Sequence, residues 1–232
     1  MTDAMLPGNP GIGDSLIQAT EIMARERLAD DASGHDWFHT DRVRRLALRI
    51  AREEAAGGAS LDLSVIELAA LLHDIDDWKF AGGDETAAPR AAAAWLAAQG
   101  AGPDTVSDVA EIVATLSFKG AGVPTPMRTA EGAIVQDADR LDAIGAIGIA
   151  RTFAYGGYKG STLHDPGVPP RSHDSFAAYK ASGGTSINHF AEKLLLLRDR
   201  MNTASGRRLA AERHRVMEAF LARFFAEWDG QA

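Results

Sequence analysis

The sequence predicts an all-α fold, a helical bundle of about seven helices with one long loop near 155–184. Apolar residues recur at i, i+3, i+4 and i+7 in several separate stretches, the spacing of helices that bury one face. Gly and Pro stand between those stretches, where helices stop and start. No stretch alternates apolar and polar residues as a half-buried strand does, and no internal repeat is visible.

Residues 1–30 are expected to form an N-terminal segment carrying the first helix, and 31–232 a single domain. Within 41–54, Val43, Leu46, Ala47 and Ile50 trace an apolar stripe that Gly57 and Gly58 terminate. Ser64 followed by Glu67 has the form of a capping box, after which Leu68, Leu71, Leu72 and Ile75 line a buried face. Pro89 suits the first turn of an Ala-rich helix ending at Gly100. Pro103 opens another, with Val106, Val109, Val113 and Leu116 at helical spacing. Residues 120–126 read as loop. One helix is expected from Glu131 to about Ala154, its small residues permitting close contacts. The stretch 155–184, rich in Gly, Pro, Ser and His, reads as a loop of the length that usually marks a lid or an insertion. Ile187, Phe190, Leu194, Leu197 and Met201 form one further stripe, and Val216, Phe220 and Phe224 another.

With 232 residues the chain can fill one helical domain. It has no cysteine, which removes disulfides, thiolate metal sites and Cys nucleophiles together; a metal site would draw on His, Asp and Glu. The formal net charge of -8 argues against a broad surface for a nucleic-acid polymer, which needs clustered Lys and Arg. A small anion is compatible with that charge when local cations recruit it. No stretch approaches the ~20 apolar residues that span a bilayer, and the start of the chain lacks a basic segment followed by an apolar core. The expectation is a cytoplasmic monomer or homodimer with no membrane partner.

Chemistry concentrates at His39, at the pair His73-Asp74 and at Asp139, on three segments read as helix. Two imidazoles and two carboxylates from three helices can surround one divalent cation, and an ion so held activates water. His73-Asp74 follows a strongly apolar run, where two ionisable groups are costly unless paired or metal-bound. Asp77 lies four residues past His73 and three past Asp74, so a continued helix would set all three on one flank, with Asp77 placed to handle a proton. Asp36 is expected to cap a helix, and His35 to orient a neighbouring carboxylate. His214, between Arg213 and Arg215, reads as surface.

The surrounding text is "HDWFHTDRV" at 35–43, "LAALLHDIDDWKF" at 68–80, "SFKG" at 117–120, "VQDADRLDAIGAIGIARTFAYGG" at 135–157 and "TSINHFAEKLLLLRDRMNT" at 185–203. These segments resemble the HD-domain superfamily of metal-dependent phosphohydrolases, in particular its bacterial stand-alone members, over nearly all of the chain beyond the first ~30 residues. The resemblance implies a metal held by His39, His73, Asp74 and Asp139. The setting Ala138-Asp139-Arg140-Leu141, similar to the family's "ADRL" stretch, places the last ligand at Asp139, with Asp137 the fallback. It also implies a catalytic Asp77 and tilts the metal to Mn²⁺, although Mg²⁺, Co²⁺, Fe²⁺ and Ni²⁺ suit the ligand types. Arg42, Lys79, Lys119, Arg140 and Lys193 are candidates to meet substrate phosphates. The resemblance further implies hydrolysis of nucleoside triphosphates to monophosphate and pyrophosphate. A 5′-nucleotidase or phosphodiesterase on the same site, and a non-catalytic metal- or nucleotide-binding protein, are the alternatives.

Overall fold

Side-chain caps set where several helices begin. In this computed structural model, which describes residues 12–29, 35–75, 84–171 and 184–232, every described regular element is helical. The order is α1 (Ile12–Arg27), α2 (Trp37–Ala56), α3 (Leu63–Leu72), α4 (Ala87–Ala98), α5 (Pro103–Thr115), α6 (Ala130–Asp142), α7 (Gly145–Lys159), α8 (Asn188–Glu192), a 3₁₀ stretch (Leu194–Arg200) and α9 (Ala204–Trp228). Asp36 caps α2, Thr129 caps α6 and Thr203 caps α9, each side-chain oxygen accepting a backbone N–H of the first turn.

The capping box expected at Ser64 and Glu67 is corrected to a single cap two residues earlier. Asp62 accepts from the N–H groups of both Ser64 (2.9 Å) and Val65 (3.2 Å). A charged carboxylate at that end also matches the helix dipole, which a serine hydroxyl does not. Glu67 instead accepts from Arg44 Nε at 2.7 Å.

The core forms around α3, in which Val65, Ile66 and all of Leu68 to Leu72 are buried. A helix apolar on every side belongs in the middle of a bundle. Helix α2 lays Val43, Leu46, Ala47 and Ile50 into this core, and α6 lays in Ile134, Val135, Ala138 and Leu141. Helices α2, α3 and α6 pack on one another, α4 pairs with α5, and α9 packs on α7. Phe190 stacks on Phe220 at 5.7 Å between centroids, and Phe153 meets Phe220 edge-on.

The helix expected from Glu131 to Ala154 is two helices. It breaks after Asp142, with Ile144 extended and Gly145 at φ +76, a left-handed conformation only glycine adopts without strain. A Cβ on Gly145 would also press on the Arg213 side chain at 3.0 Å. The turn matters for the site, because it sends α7 back past the end of α6 and brings Arg151 to Asp142.

The expected loop starts later than 155, since α7 continues to Lys159 and ends at the left-handed Gly160. Its described first part is tied to α8: Asn188 Nδ2 donates to the Val168 carbonyl (2.8 Å), and Arg171 N–H donates to Glu192 (3.0 Å). Residues 172–183, and with them the question of a lid, lie outside the described residues. The stripe from Ile187 to Met201 is buried as expected, but Lys193 leaves the helical region (φ -141) and divides it into α8 and the 3₁₀ stretch. On α9 Met217 is buried where Val216 is expected to be, and Val216 is exposed. His214 is buried, not a surface residue, since it shares the inward face of α9 with Ala210 and Met217.

Candidate metal centre

His39, His73, Asp74 and Asp139 stand where three helices end near one another. His39 is in the first turn of α2, its own N–H held by the Asp36 cap at 2.8 Å. His73 closes α3, and Asp74 follows it in the turn. Asp139 is in the last turn of α6. Nε2 of His39 lies 3.2 Å from Nε2 of His73, 3.2 Å from Oδ2 of Asp74 and 3.5 Å from Oδ1 of Asp139. Nε2 of His73 lies 3.5 Å from Asp74 Oδ2 and 4.0 Å from Asp139 Oδ1. Both imidazoles are buried, and the Asp139 side chain, 28% exposed, is the cluster's most open member.

The residues fit a divalent cation. Ligand atoms about 2.1 Å from one ion sit roughly 3 to 4 Å from each other, the range found here. The outward nitrogens of both rings are already engaged. His73 Nδ1 is 2.8 Å from the Ala70 carbonyl, which can only accept, so Nδ1 carries the hydrogen. His39 Nδ1 donates in the same way to Asp142 at 2.7 Å. Neutral rings so fixed aim two Nε2 lone pairs at one point beside two carboxylate oxygens. Lone pairs opposed at 3.2 Å repel, and a cation between them turns that repulsion into ligation.

The electrostatics agree. Burial and the Arg151 guanidinium press the His39 pKa down, yet the neighbouring Asp142 and Asp74 carboxylates prevail and leave it above the ordinary histidine value. Burial also works against ionising Asp74, but His73 and His35 hold it well below the usual carboxylate range. Burial opposes ionising Asp142 too, and hydrogen bonds from His39 and Arg42, with the charge of Arg151, hold it low. Asp74 and Asp142 are therefore both held as carboxylates beside the imidazoles.

The remaining candidates are dispersed. Asp137 is fully buried and turned away; it accepts from the N–H groups of Asn202 and Thr203, both at 2.8 Å. Arg42 grips Asp142 through Nε (2.7 Å) and an η nitrogen (3.0 Å). The expectation that Arg140 leans toward the site is corrected. One residue past Asp139 is about 100° around the helix, and the buried guanidinium ties the Arg200 carbonyl and the Thr125 hydroxyl, 2.7 Å from the latter. Burial pushes its pKa down to about 10. Lys119 pairs with Glu85 at 3.3 Å, and Lys193 sits over the Phe118 ring. Asp77 and Lys79 lie outside the described residues. His35 Nδ1 is 2.7 Å from Asp74 Oδ2, the orienting contact expected of it. His164 packs against Phe224, Phe225 and Trp228. His189 is driven down to about 3 by burial and by Lys193.

Sequence reading passed over Asp142 and Arg151 as functional residues. A signal for the first was present, since Asp142 is three residues past Asp139 and shares its helix face.

Comparison with known proteins agrees with this geometry. The HD domain family model matches residues 37–144, a span that contains the whole cluster. The chain is 40% identical to the Bacillus subtilis protein YpgQ over 212 residues, covering 89% of this chain and 91% of the relative. A crystal structure of YpgQ in complex with ADP superposes with a TM-score of 0.70 at 32% identity, covering 93% of this chain and 100% of the other. A Lactobacillus plantarum structure gives a TM-score of 0.82 at 39% identity over 94% of this chain and 98% of its own. An HD-superfamily hydrolase from Bacillus thuringiensis gives 0.70 at 39% identity over 94% of this chain and 100% of its own. With that likeness along its length and the His and Asp cluster at the meeting of three helices, the chain belongs to the HD-domain family and is a metal-dependent phosphohydrolase.

Proposed function

We propose that the chain hydrolyses nucleoside triphosphates, NTP or dNTP, between the α and β phosphates, releasing a monophosphate and pyrophosphate. The observation that carries the reading is the pair of Nε2 atoms 3.2 Å apart with two carboxylates beside them. The nucleotide part is supported by YpgQ, whose structure holds ADP. His39, His73, Asp74 and Asp139 hold the ion, which we take to be Mn²⁺; Mg²⁺, Co²⁺, Fe²⁺ and Ni²⁺ also suit this donor set. Such an ion supplies Lewis acidity toward a phosphoryl oxygen and lowers the pKa of water.

The chain's own residues do the rest. The Ala70 carbonyl and the Asp142 carboxylate keep the two imidazoles facing inward, and His35 steadies Asp74. Asp139, the most open member of the cluster, marks the side from which the triphosphate enters. Arg42, Lys79, Lys119 and Lys193 supply positive charge to the phosphates, and Asp77 takes the proton of the attacking water. Asp77→Asn should retain the metal and lose about 10²- to 10⁴-fold in kcat. A metal titration beside a steady-state assay checks this; normal turnover would move the proton carrier elsewhere.

A product-resolved assay of the Mn²⁺-loaded protein on NTPs and dNTPs tests the substrate. Pyrophosphate with a monophosphate supports the reading. Inorganic phosphate released from monophosphates would make the protein a 5′-nucleotidase, and cleavage of diesters alone a phosphodiesterase. Inactivity on all of these would leave a binding protein.

A further inference from the structure

We propose that Asp142 is a positioning residue for the hydrolytic reaction. It fixes the His39 ring as the Nδ1–H tautomer with Nε2 turned into the ligand cluster, and Arg42 and Arg151 fix Asp142 in turn. The proposal rests on the cluster being the metal centre.

Four hydrogen bonds converge on this one carboxylate, whose side chain is 3% exposed. Oδ2 accepts from His39 Nδ1 at 2.7 Å, from Arg42 at 3.0 Å and from Arg151 at 2.8 Å; Oδ1 accepts from Arg42 Nε at 2.7 Å. The donors come from two helices, α2 and α7, and Asp142 itself is the last residue of a third, α6. A carboxylate needed only to balance charge would be satisfied by one cation. The two-point grip of Arg42 sets the carboxylate plane, and Arg151 then secures the oxygen that faces His39.

The consequence for the metal site is geometric. An imidazole has one hydrogen to place when neutral. If His39 carried it on Nε2, that hydrogen would occupy the middle of the cluster, and the ring could not offer Nε2 as a ligand. An ionised Asp142 at 2.7 Å draws the hydrogen to Nδ1. His73 has an independent device, the Ala70 carbonyl, so losing Asp142 loosens one ligand and spares the other imidazole. The arrangement also explains the break at Gly145: a continuous helix would carry residue 151 along the α6 axis, away from Asp142.

Three measurements test the proposal. Long-range ¹H–¹⁵N spectra of the histidine rings in the unaltered apo protein at pH 8 should show His39 as Nδ1–H, with its Nε2 signal moving on addition of Mg²⁺. An Nε2–H tautomer overturns the proposal without recourse to any variant. Asp142→Asn, which cannot accept from His39 and both arginines at once, should lower Mn²⁺ affinity about 10- to 100-fold, read by electron paramagnetic resonance of free Mn²⁺. Its kcat at saturating Mn²⁺ should stay within about 10-fold of the parent. Arg42→Lys keeps the charge but not the two-point grip, and should weaken Mn²⁺ binding several-fold; a role in charge balance alone would leave that variant unchanged. Unchanged Mn²⁺ affinity in folded Asp142→Asn overturns the proposal, as does a kcat collapse with intact affinity, which would make Asp142 a catalytic residue. A parent protein that binds no Mn²⁺ would instead overturn the metal-centre reading beneath it.

Discussion

Replacing His73 by alanine is expected to remove metal binding and turnover together while the helical fold remains. Among the described residues the His73 ring donates one hydrogen bond, to the Ala70 carbonyl, and its other nitrogen faces His39 and the two carboxylates. Deleting it therefore takes away one of the metal's ligands and little else. Outer partners of a metal ligand typically carry about 10- to 100-fold in affinity, and the ligand itself should carry more. Thermal unfolding gives a readout independent of catalysis. At Mn²⁺ about 100 times its Kd, the parent should gain roughly 2.7 kcal/mol, or about 5–10 °C in Tm for a chain of this size. His73→Ala should gain nothing from the same addition. A Tm shift that survives in the variant would show the ion bound elsewhere.

The sequence carried the helical stripes and the Asp36 cap clearly, because both depend on residues a few positions apart. Its errors came from signals that local spacing does not hold. A lone glycine inside an apolar helix is tolerated at a cost of about 1 kcal/mol, so Gly145 gave no sign that it would turn the chain at φ +76. His214 looked solvated because arginines flank it, yet neighbours at i±1 face other directions on a helix. Arg140 looked near the site because Asp139 is, and the same rotation defeats that inference. Ser64 with Glu67 resembled a cap, and Asp62 was better placed to be one. The candidate cluster could be named from His39, His73-Asp74 and Asp139 once their setting was matched to a family. Its support could not, because His39 and Asp142 are 103 residues apart, and only the packing of α2 on α6 joins them.

Asp137→Ala and Asp139→Asn should have opposite effects, although the two residues lie two positions apart on one helix. Asp137 is fully buried. One oxygen accepts from Asn202 N–H (2.8 Å) and Nδ2 (2.9 Å), the other from Thr203 N–H (2.8 Å) and Oγ1 (2.7 Å). Thr203 is the cap of α9, so the carboxylate orders the cap and faces the positive end of that helix. A Cβ on Gly206 would collide with it, so the carboxylate is packed directly against the first turn of α9. Alanine at 137 strands two backbone N–H groups, each costing about 1–3 kcal/mol. The sum, roughly 3–5 kcal/mol, should lower Tm by about 10 °C, while the fraction still folded binds Mn²⁺ normally. Asp139 has the reverse profile. Its side chain is 28% exposed, and its nearest partners among the described residues are the imidazoles at 3.5 and 4.0 Å, too far for hydrogen bonds. Asparagine there should move stability by no more than about 0.5 kcal/mol and sharply weaken both Mn²⁺ binding and turnover. Denaturant unfolding and a metal titration on the two variants decide the matter. Should Asp137→Ala lose the metal and keep its stability, the ligand role would pass to Asp137, and α6 would have to be rotated to present it.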